Sequence, residues 1–192
     1  MLFILVGLSL LSYLLGSIPT AIWYGDRYHG MDIRQHGSGN AGATNTFRVL
    51  GKKAGCFVLF VDAFKGFAAA SLATVLYSFN LVDWQTCVTL KILFGFLAII
   101  GHLLPVFCDF KGGKGVATTL GMVIALHPQA ALVSSLVFLL VFAISHYVSL
   151  GSMVTSLVFP LLLQFEVFGK ELPILIYFGF IISLDRKSTR LN

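Results

Sequence analysis

The chain has 192 residues, 57% of them hydrophobic and 11% charged, with a net charge of +5 and a mean hydropathy of +0.91. Soluble domains carry roughly 25% charged residues, so this composition excludes a soluble globular protein and implies an all-α integral membrane bundle, a single membrane domain over residues 1–192. The alternating apolar–polar decamers of an outer-membrane barrel are absent, and a basic excess in a membrane protein sets topology and attracts anionic lipid heads or phosphate groups rather than nucleic acid.

Met1-Leu2-Phe3-Ile4 lacks the basic n-region of a signal peptide and reads as the start of a retained span over residues 2–23. That span ends in Ser17-Ile18-Pro19-Thr20, a break tolerated where neighbouring helices or water satisfy the freed backbone groups. A polar, basic loop is expected over residues 24–53. Within it, Gly37-Ser38-Gly39-Asn40-Ala41-Gly42-Ala43-Thr44-Asn45, closed by Arg48, is the longest polar, glycine-rich run of the chain. Glycine reaches φ > 0 without steric cost, so this run can turn its N–H groups into one concavity that holds an anion. Ser38, Asn40, Thr44 and Asn45 add side-chain donors, and the planar charge of Arg48 suits phosphate.

Span two, residues 54–81, contains Asp62 and Lys65, three apart and so on one helical face. Charges this deep in an apolar segment face the bundle interior or its mouth, as a structural ion pair or as support for a site. Span three, residues 88–107, ends near Gly101-His102 and Pro105, and a second polar loop follows, Lys111-Gly112-Gly113-Lys114-Gly115. It is not a Walker loop, because Gly-x4-Gly-Lys-Ser/Thr is absent. Residues 116–126 and 130–144 are two short apolar spans split by His127-Pro128-Gln129, each below the roughly 20 residues of a straight crossing. An interruption at His146-Tyr147-Val148-Ser149-Leu150-Gly151-Ser152 precedes spans at 153–168, which contains Glu166, and 172–184. Cys56, Cys87 and Cys108 have no CxxC spacing and read as small apolar side chains.

Seven crossings put both glycine loops, the Tyr147–Ser152 segment and the tail on one side. Arg27, Arg34, Arg48, Lys52, Lys53, Lys111, Lys114, Arg186, Lys187 and Arg190 gather there, against Lys91 and Lys170 toward the other. The positive-inside bias then places these motifs in the cytoplasm and the N-terminus outside. The gathered residues lack the dense carboxylate cluster of a metal-dependent phosphotransfer site. They suit phosphate held by N–H donors and cations beside lipid, with His102 as the titratable candidate base or, equally, a hydrogen-bonded end of span three. A transporter of phosphate esters also fits internal polar residues and broken helices, although matching halves are not visible.

Taken together, Ser17–Thr20, Gly37–Asn45 with Arg48, Asp62-Ala63-Phe64-Lys65-Gly66, Gly101-His102, Pro105-Val106-Phe107 and Phe110–Thr118 resemble the bacterial acyl-phosphate:glycerol-3-phosphate acyltransferase family, PlsY. The resemblance extends from the first span to about Ser152. It implies a seven-helix enzyme of the bacterial inner membrane, with no cofactor. That enzyme transfers a fatty acyl chain from acyl phosphate to the 1-hydroxyl of glycerol 3-phosphate, which links it to the enzyme that forms acyl phosphate. It also implies His102, Lys111, Arg48 and Ser149 at the reaction centre. Ser38, Gly39, Asn40, Gly42, Thr44, Asn45, Gly112, Gly113 and Lys114 would lie around the substrate phosphates, with Asp62 and Lys65 in support. The tail at residues 185–192 departs from the family pattern: Asp185 stands where the family has His, and Ser188 where it has Asn. An incomplete end would account for that.

Overall fold

A computed structural model describes residues 1–163. The far part of the sixth expected span with Glu166, the seventh span at 172–184 and the tail at 185–192 lie outside the described residues. The described chain is helical throughout: α1 (Leu2–Ser17), α2 (Thr20–His29), α3 (Ala43–Ser78), α4 (Trp84–Leu103), α5 (Val116–Leu126), α6 (Pro128–Ser145) and α7 (Val148–Leu162), with short 3-10 turns at Ile33–Gln35 and Val106–Cys108. It divides into two compact units, Met1–Leu126 and the residues from His127 onward. Among the described residues three segments are long and apolar enough to cross a bilayer, Ala43–Ser78, Trp84–Cys108 and Pro128–Ser145.

α1 and α2 make a fourth crossing if taken as one span, bent by 41°. Proline has no N–H and disfavours the helical region for the residue before it; Ile18 accordingly sits at φ −59°, ψ 112°. α2 then runs on to a left-handed Gly30, which accepts the turn that ends a helix.

The expected polar loop at 24–53 is corrected. Thr20–His29 is helical, and helix resumes at Ala43, not at residue 54. The polar composition hides a short apolar stripe: Val49 and Leu50 pack on a core of Ala21, Ile22, Ile33, Ala41 and Val58. Inside α3, Gly51 adopts φ 85°, ψ −177°, a region essentially reserved for glycine. The chain kinks there and folds Phe47 back onto Gly55, where a Cβ would overlap the ring.

Close backbone approach sets the helix packing of the first unit. A Cβ on Gly66 of α3 would meet the Thr118 carbonyl of α5, and one on Gly121 of α5 would meet the Ala63 carbonyl of α3. Small residues at such crossings let backbones touch, the usual basis of helix association in lipid. A second core joins Ala73 and Leu76 of α3 to Cys87, Leu90 and Phe94 of α4. Cys87 is therefore apolar filling as expected, whereas Cys56 is exposed. Buried Lys91 donates to the Ala125 carbonyl at 2.9 Å, capping the end of α5.

In the second unit, His127 caps α6 by accepting the Ala130 N–H at 3.1 Å, and His146 ends it in a left-handed conformation at φ 57°. The expected interruption over His146–Ser152 is shortened, because the break is confined to His146-Tyr147 and α7 begins at Val148.

Candidate active site

The first glycine loop is a built turn. Gly37 and Gly39 take φ 63° and 72°. Buried Asn45, in the first turn of α3, spans the turn from behind: its Nδ2 donates to the carbonyls of Ile33 at 3.1 Å and His36 at 2.9 Å, and its Oδ1 accepts the Ser38 N–H at 2.8 Å. A Cβ on Gly37 would strike that Oδ1. Asn45 is thus corrected from a phosphate donor to a brace, since both its amide hydrogens are spent inside the protein. Gly42 is the extended residue before α3 and its carbonyl accepts Thr46 Oγ1 at 3.1 Å. Ser38, Gly39 and Thr44 are exposed, and Asn40 half-buried. Thr44 and the exposed Arg48 are four apart on α3 and so share a face.

A fork of Arg34 on Asp32, with contacts of 2.7–3.0 Å, stiffens the approach to this loop. The Arg34 side chain holds the Asp32 carboxyl below its ordinary 3.8. A carboxyl lowered in the folded state contributes stability that is complete above the ordinary value and lost as pH falls through the lowered one. The pair is partly exposed, which limits it to roughly 0–1 kcal/mol. Amide protection factors at residues 32–39 should therefore hold from neutral pH down to that ordinary value of 3.8 and fall only below it; a fall well above it would remove the pair from the loop's support.

The second loop doubles back on the end of α4. Gly112 N–H donates to the Leu103 carbonyl and Gly113 N–H to the His102 carbonyl, both at 3.1 Å. The expectation that these two amides face an anion is corrected, because α4 already takes both. Their missing side chains matter instead. A Cβ on Gly112 would overlap the His102 carbonyl, and one on Gly113 would strike His102 Nε2 and lie 2.9 Å from the Ala41 carbonyl. Gly113 is therefore wedged between the His102 ring and the first glycine loop, and the two loops meet there.

His102, in the last turn of α4, is buried. Its Nδ1 lies 3.7 Å from Asp62 Oδ1. The same carboxylate oxygen accepts Thr20 Oγ1 at 3.1 Å and pairs with Lys65 Nζ at 2.9 Å. Lys65 also donates to the Ile18 carbonyl at 2.8 Å. The broken first span thus supplies a donor to the buried carboxylate and an acceptor to the buried ammonium, which a buried ion pair needs if it is not to be costly. Next to Thr20, an apolar groove of about 290 Å³ runs along α2 and α3, with Ile18, Trp23, Tyr24, Phe57 and Val61 among its walls.

Lys111 and Lys114 are exposed like Arg48, and among the described residues none of the three has a carboxylate partner. Among the described residues, no three His, Cys, Asp or Glu side chains stand close enough to share a metal ion. Ser149 lies exposed in the first turn of α7, in the second unit.

Residues 6–190 match the family model for glycerol-3-phosphate acyltransferase. The chain belongs to that family. It is 43% identical over 186 residues to a curated glycerol-3-phosphate acyltransferase of Salinibacter ruber, covering 92% of this chain and 81% of the relative. A second, from Enterococcus faecalis, is 45% identical over 157 residues, or 82% and 69% of the two chains. The crystal structure of PlsY, an integral membrane glycerol 3-phosphate acyltransferase, matches in its glycerol 3-phosphate form with a TM-score of 0.79 and 40% identity over 96% of this chain and 86% of that one. Its lysophosphatidic acid form matches with a TM-score of 0.77 and 39% identity.

Two further groups of this acyltransferase hold the site together. The Ala41 carbonyl closes the junction at Gly113, and a backbone oxygen leaves no mark on sequence. The Tyr13 hydroxyl donates to the Leu104 carbonyl at 2.8 Å and so ties α1 to the end of α4 beside His102; one tyrosine in an apolar span carries no signal of its own.

Proposed function

We propose that this acyltransferase moves a fatty acyl chain from acyl phosphate to the 1-hydroxyl of glycerol 3-phosphate, releasing lysophosphatidic acid and inorganic phosphate. The observation that carries the reading is the wedge at Gly113, which puts the His102 ring, the Ser38–Asn40 loop and the Lys111–Lys114 loop side by side.

The chemistry follows from that grouping. The hydroxyl oxygen bonds to the acyl carbon, the acyl carbon–oxygen bond to phosphate breaks, and phosphate leaves with the electron pair. Arg48, Lys111 and Lys114 offset the charge that builds on the departing phosphate and hold that of glycerol 3-phosphate. Ser38, Gly39, Asn40, Gly42 and Thr44 orient the phosphates, and His102 stands where the hydroxyl loses its proton. The apolar groove beside Thr20 takes the acyl chain. Gly112 and Gly113 shape the loop rather than bind.

The same reading places the protein in the bacterial inner membrane with seven crossings, the N-terminus outside and the C-terminus and site in the cytoplasm, where acyl phosphate arrives from the enzyme that forms it. The excess of Lys and Arg in the segments after the odd-numbered spans supports that orientation. The purified full chain, given acyl phosphate and glycerol 3-phosphate, should form lysophosphatidic acid and phosphate in equal amounts. Uptake of glycerol 3-phosphate into liposomes without product would overturn the reading in favour of transport.

A further inference from the structure

We infer that the buried Asp62–Lys65 pair is a positioning device for the acyl chain: it holds Ile18 and Thr20 on either side of Pro19, fixes α2 against α3, and so sets the width of the apolar groove between them. The inference rests on the reading of that groove as the acyl-chain site.

The groove is the seam between two helical rows. Thr20, Tyr24 and Tyr28 recur every four residues on α2, and Phe57, Val61 and Lys65 do so on α3. All of these but Lys65 are among its walls. The rows are tied at two places. At the start of α2, Thr20 Oγ1 donates to Asp62 Oδ1 at 3.1 Å. One turn on, the rings of Tyr24 and Phe57 stand 5.3 Å apart. Pro19 lacks the N–H that would carry helical bonding from α1 into α2, and the two helices are bent by 41°. α1 therefore does not dictate where α2 lies. Lys65 Nζ reaches Asp62 Oδ1 at 2.9 Å and the Ile18 carbonyl at 2.8 Å, so each charge of the pair is bonded to a residue flanking the proline. Asp62 and Lys65 are 1% and 3% exposed. A buried ion pair is often no more stabilising than apolar side chains of similar volume, so stability alone does not account for it. A groove with walls fixed before the chain arrives does account for it, because ordering a wall during binding costs affinity.

Binding can be read apart from turnover. The chain has two tryptophans, Trp23 in the groove wall and Trp84, so Trp84→Phe leaves Trp23 as the reporter. In that full-length parent in detergent, hexadecyl phosphate should change Trp23 emission saturably; it has the chain and the phosphate but no acyl group to transfer. Thr20→Val keeps the shape and removes the hydroxyl. It should raise the half-saturating concentration roughly tenfold, as expected for the loss of one hydrogen bond to a charged group. Thr20→Ser restores the hydroxyl and should recover the affinity. Asp62→Leu/Lys65→Met removes both ties without leaving a lone buried charge and should weaken binding by roughly tenfold or more. In turnover, Thr20→Val should raise the KM for palmitoyl phosphate and leave kcat and the KM for glycerol 3-phosphate near the parent's, the mark of lost uniform binding. Parent-like binding by Thr20→Val would overturn the inference; should that variant not fold, the double variant decides in the same way. Equal losses in Thr20→Val and Thr20→Ser would also overturn it, since packing and not the hydrogen bond would then matter. Trp23 emission indifferent to hexadecyl phosphate in the parent would overturn it together with the groove assignment. Saturable binding by a wild-type chain that transfers no acyl group would instead strike the functional reading, and the clamp would still be read from the variants.

Discussion

Arg48→Ala and Lys111→Ala should each lower turnover by roughly 10²–10³-fold, the cost of removing one preorganised group that meets charge developing in a transition state. Both side chains are exposed and, among the described residues, unpaired with carboxylates. Surface changes of that kind typically alter stability by about 0.5 kcal/mol or less, so the unfolding midpoint in detergent should hold. Lys53→Ala is the control: it removes the same charge from an exposed position on α3 beyond the Gly51 kink and should leave turnover near wild type. The kinetic split assigns each cation. A fall in kcat marks a group that meets the departing phosphate, and a rise in the glycerol 3-phosphate KM marks one that holds that substrate equally before and during reaction. Equal losses in all three variants would point to a general positive field rather than to a site, and near-normal turnover in Arg48→Ala or Lys111→Ala would remove that residue from the reaction.

What the sequence showed and what it hid follow from one difference. Apolar runs bounded by strong punctuation are visible: Val116–Leu126 lies between Gly115 and His127-Pro128, and its helix has the expected bounds. Helices whose apolar face is completed by distant residues are not. Ala43 to Leu50 reads as polar, and it is the packing of Val49 and Leu50 against Ala21, Ile22 and Ile33 that makes it helical. Non-glycine residues in the left-handed region are equally silent. His146 ends α6 at φ 57°, so the break begins at the expected residue but is shorter than the His146–Ser152 segment suggested.

The site residues divide along the same line. Residue types selected their chemistry, but not whether a donor was already occupied. Asn45 looks as available as Asn40 in sequence, yet its side chain reaches Ile33, Ser38 and His36. Glycine spacing suggested an anion nest at Gly112-Gly113, yet the amides close onto α4. The Asp62–Lys65 spacing did place both charges on one face, and α4 then brought His102 to it. The Ser17-Ile18-Pro19-Thr20 break showed as an interruption; its use, one acceptor and one donor for that buried pair, needed the fold.

Gly113→Ala should abolish acyl transfer although it adds a single methyl group. The new Cβ would enter the space of His102 Nε2 and press on the Ala41 carbonyl. The imidazole has little room to withdraw, because Asp62 stands 3.7 Å behind Nδ1 and the His102 carbonyl is engaged by the Gly113 N–H. The Ala41 carbonyl belongs to the loop that Asn45 locks from behind. The methyl group must therefore separate the two loops or turn the ring. Misplacement of reacting groups by about 1 Å costs on the order of 10²-fold in rate, and overpacking of this kind destabilises by about 1–3 kcal/mol. Turnover should thus fall much further than the unfolding midpoint. Gly7→Ala is the contrast: a Cβ there meets nothing within 4 Å, and alanine is favoured over glycine inside a helix by roughly 0.5–1 kcal/mol, so both turnover and folding should be kept. Near-normal turnover by Gly113→Ala would mean that the histidine and the two glycine loops do not act as one packed unit, and the wedge on which the proposed chemistry stands would be lost.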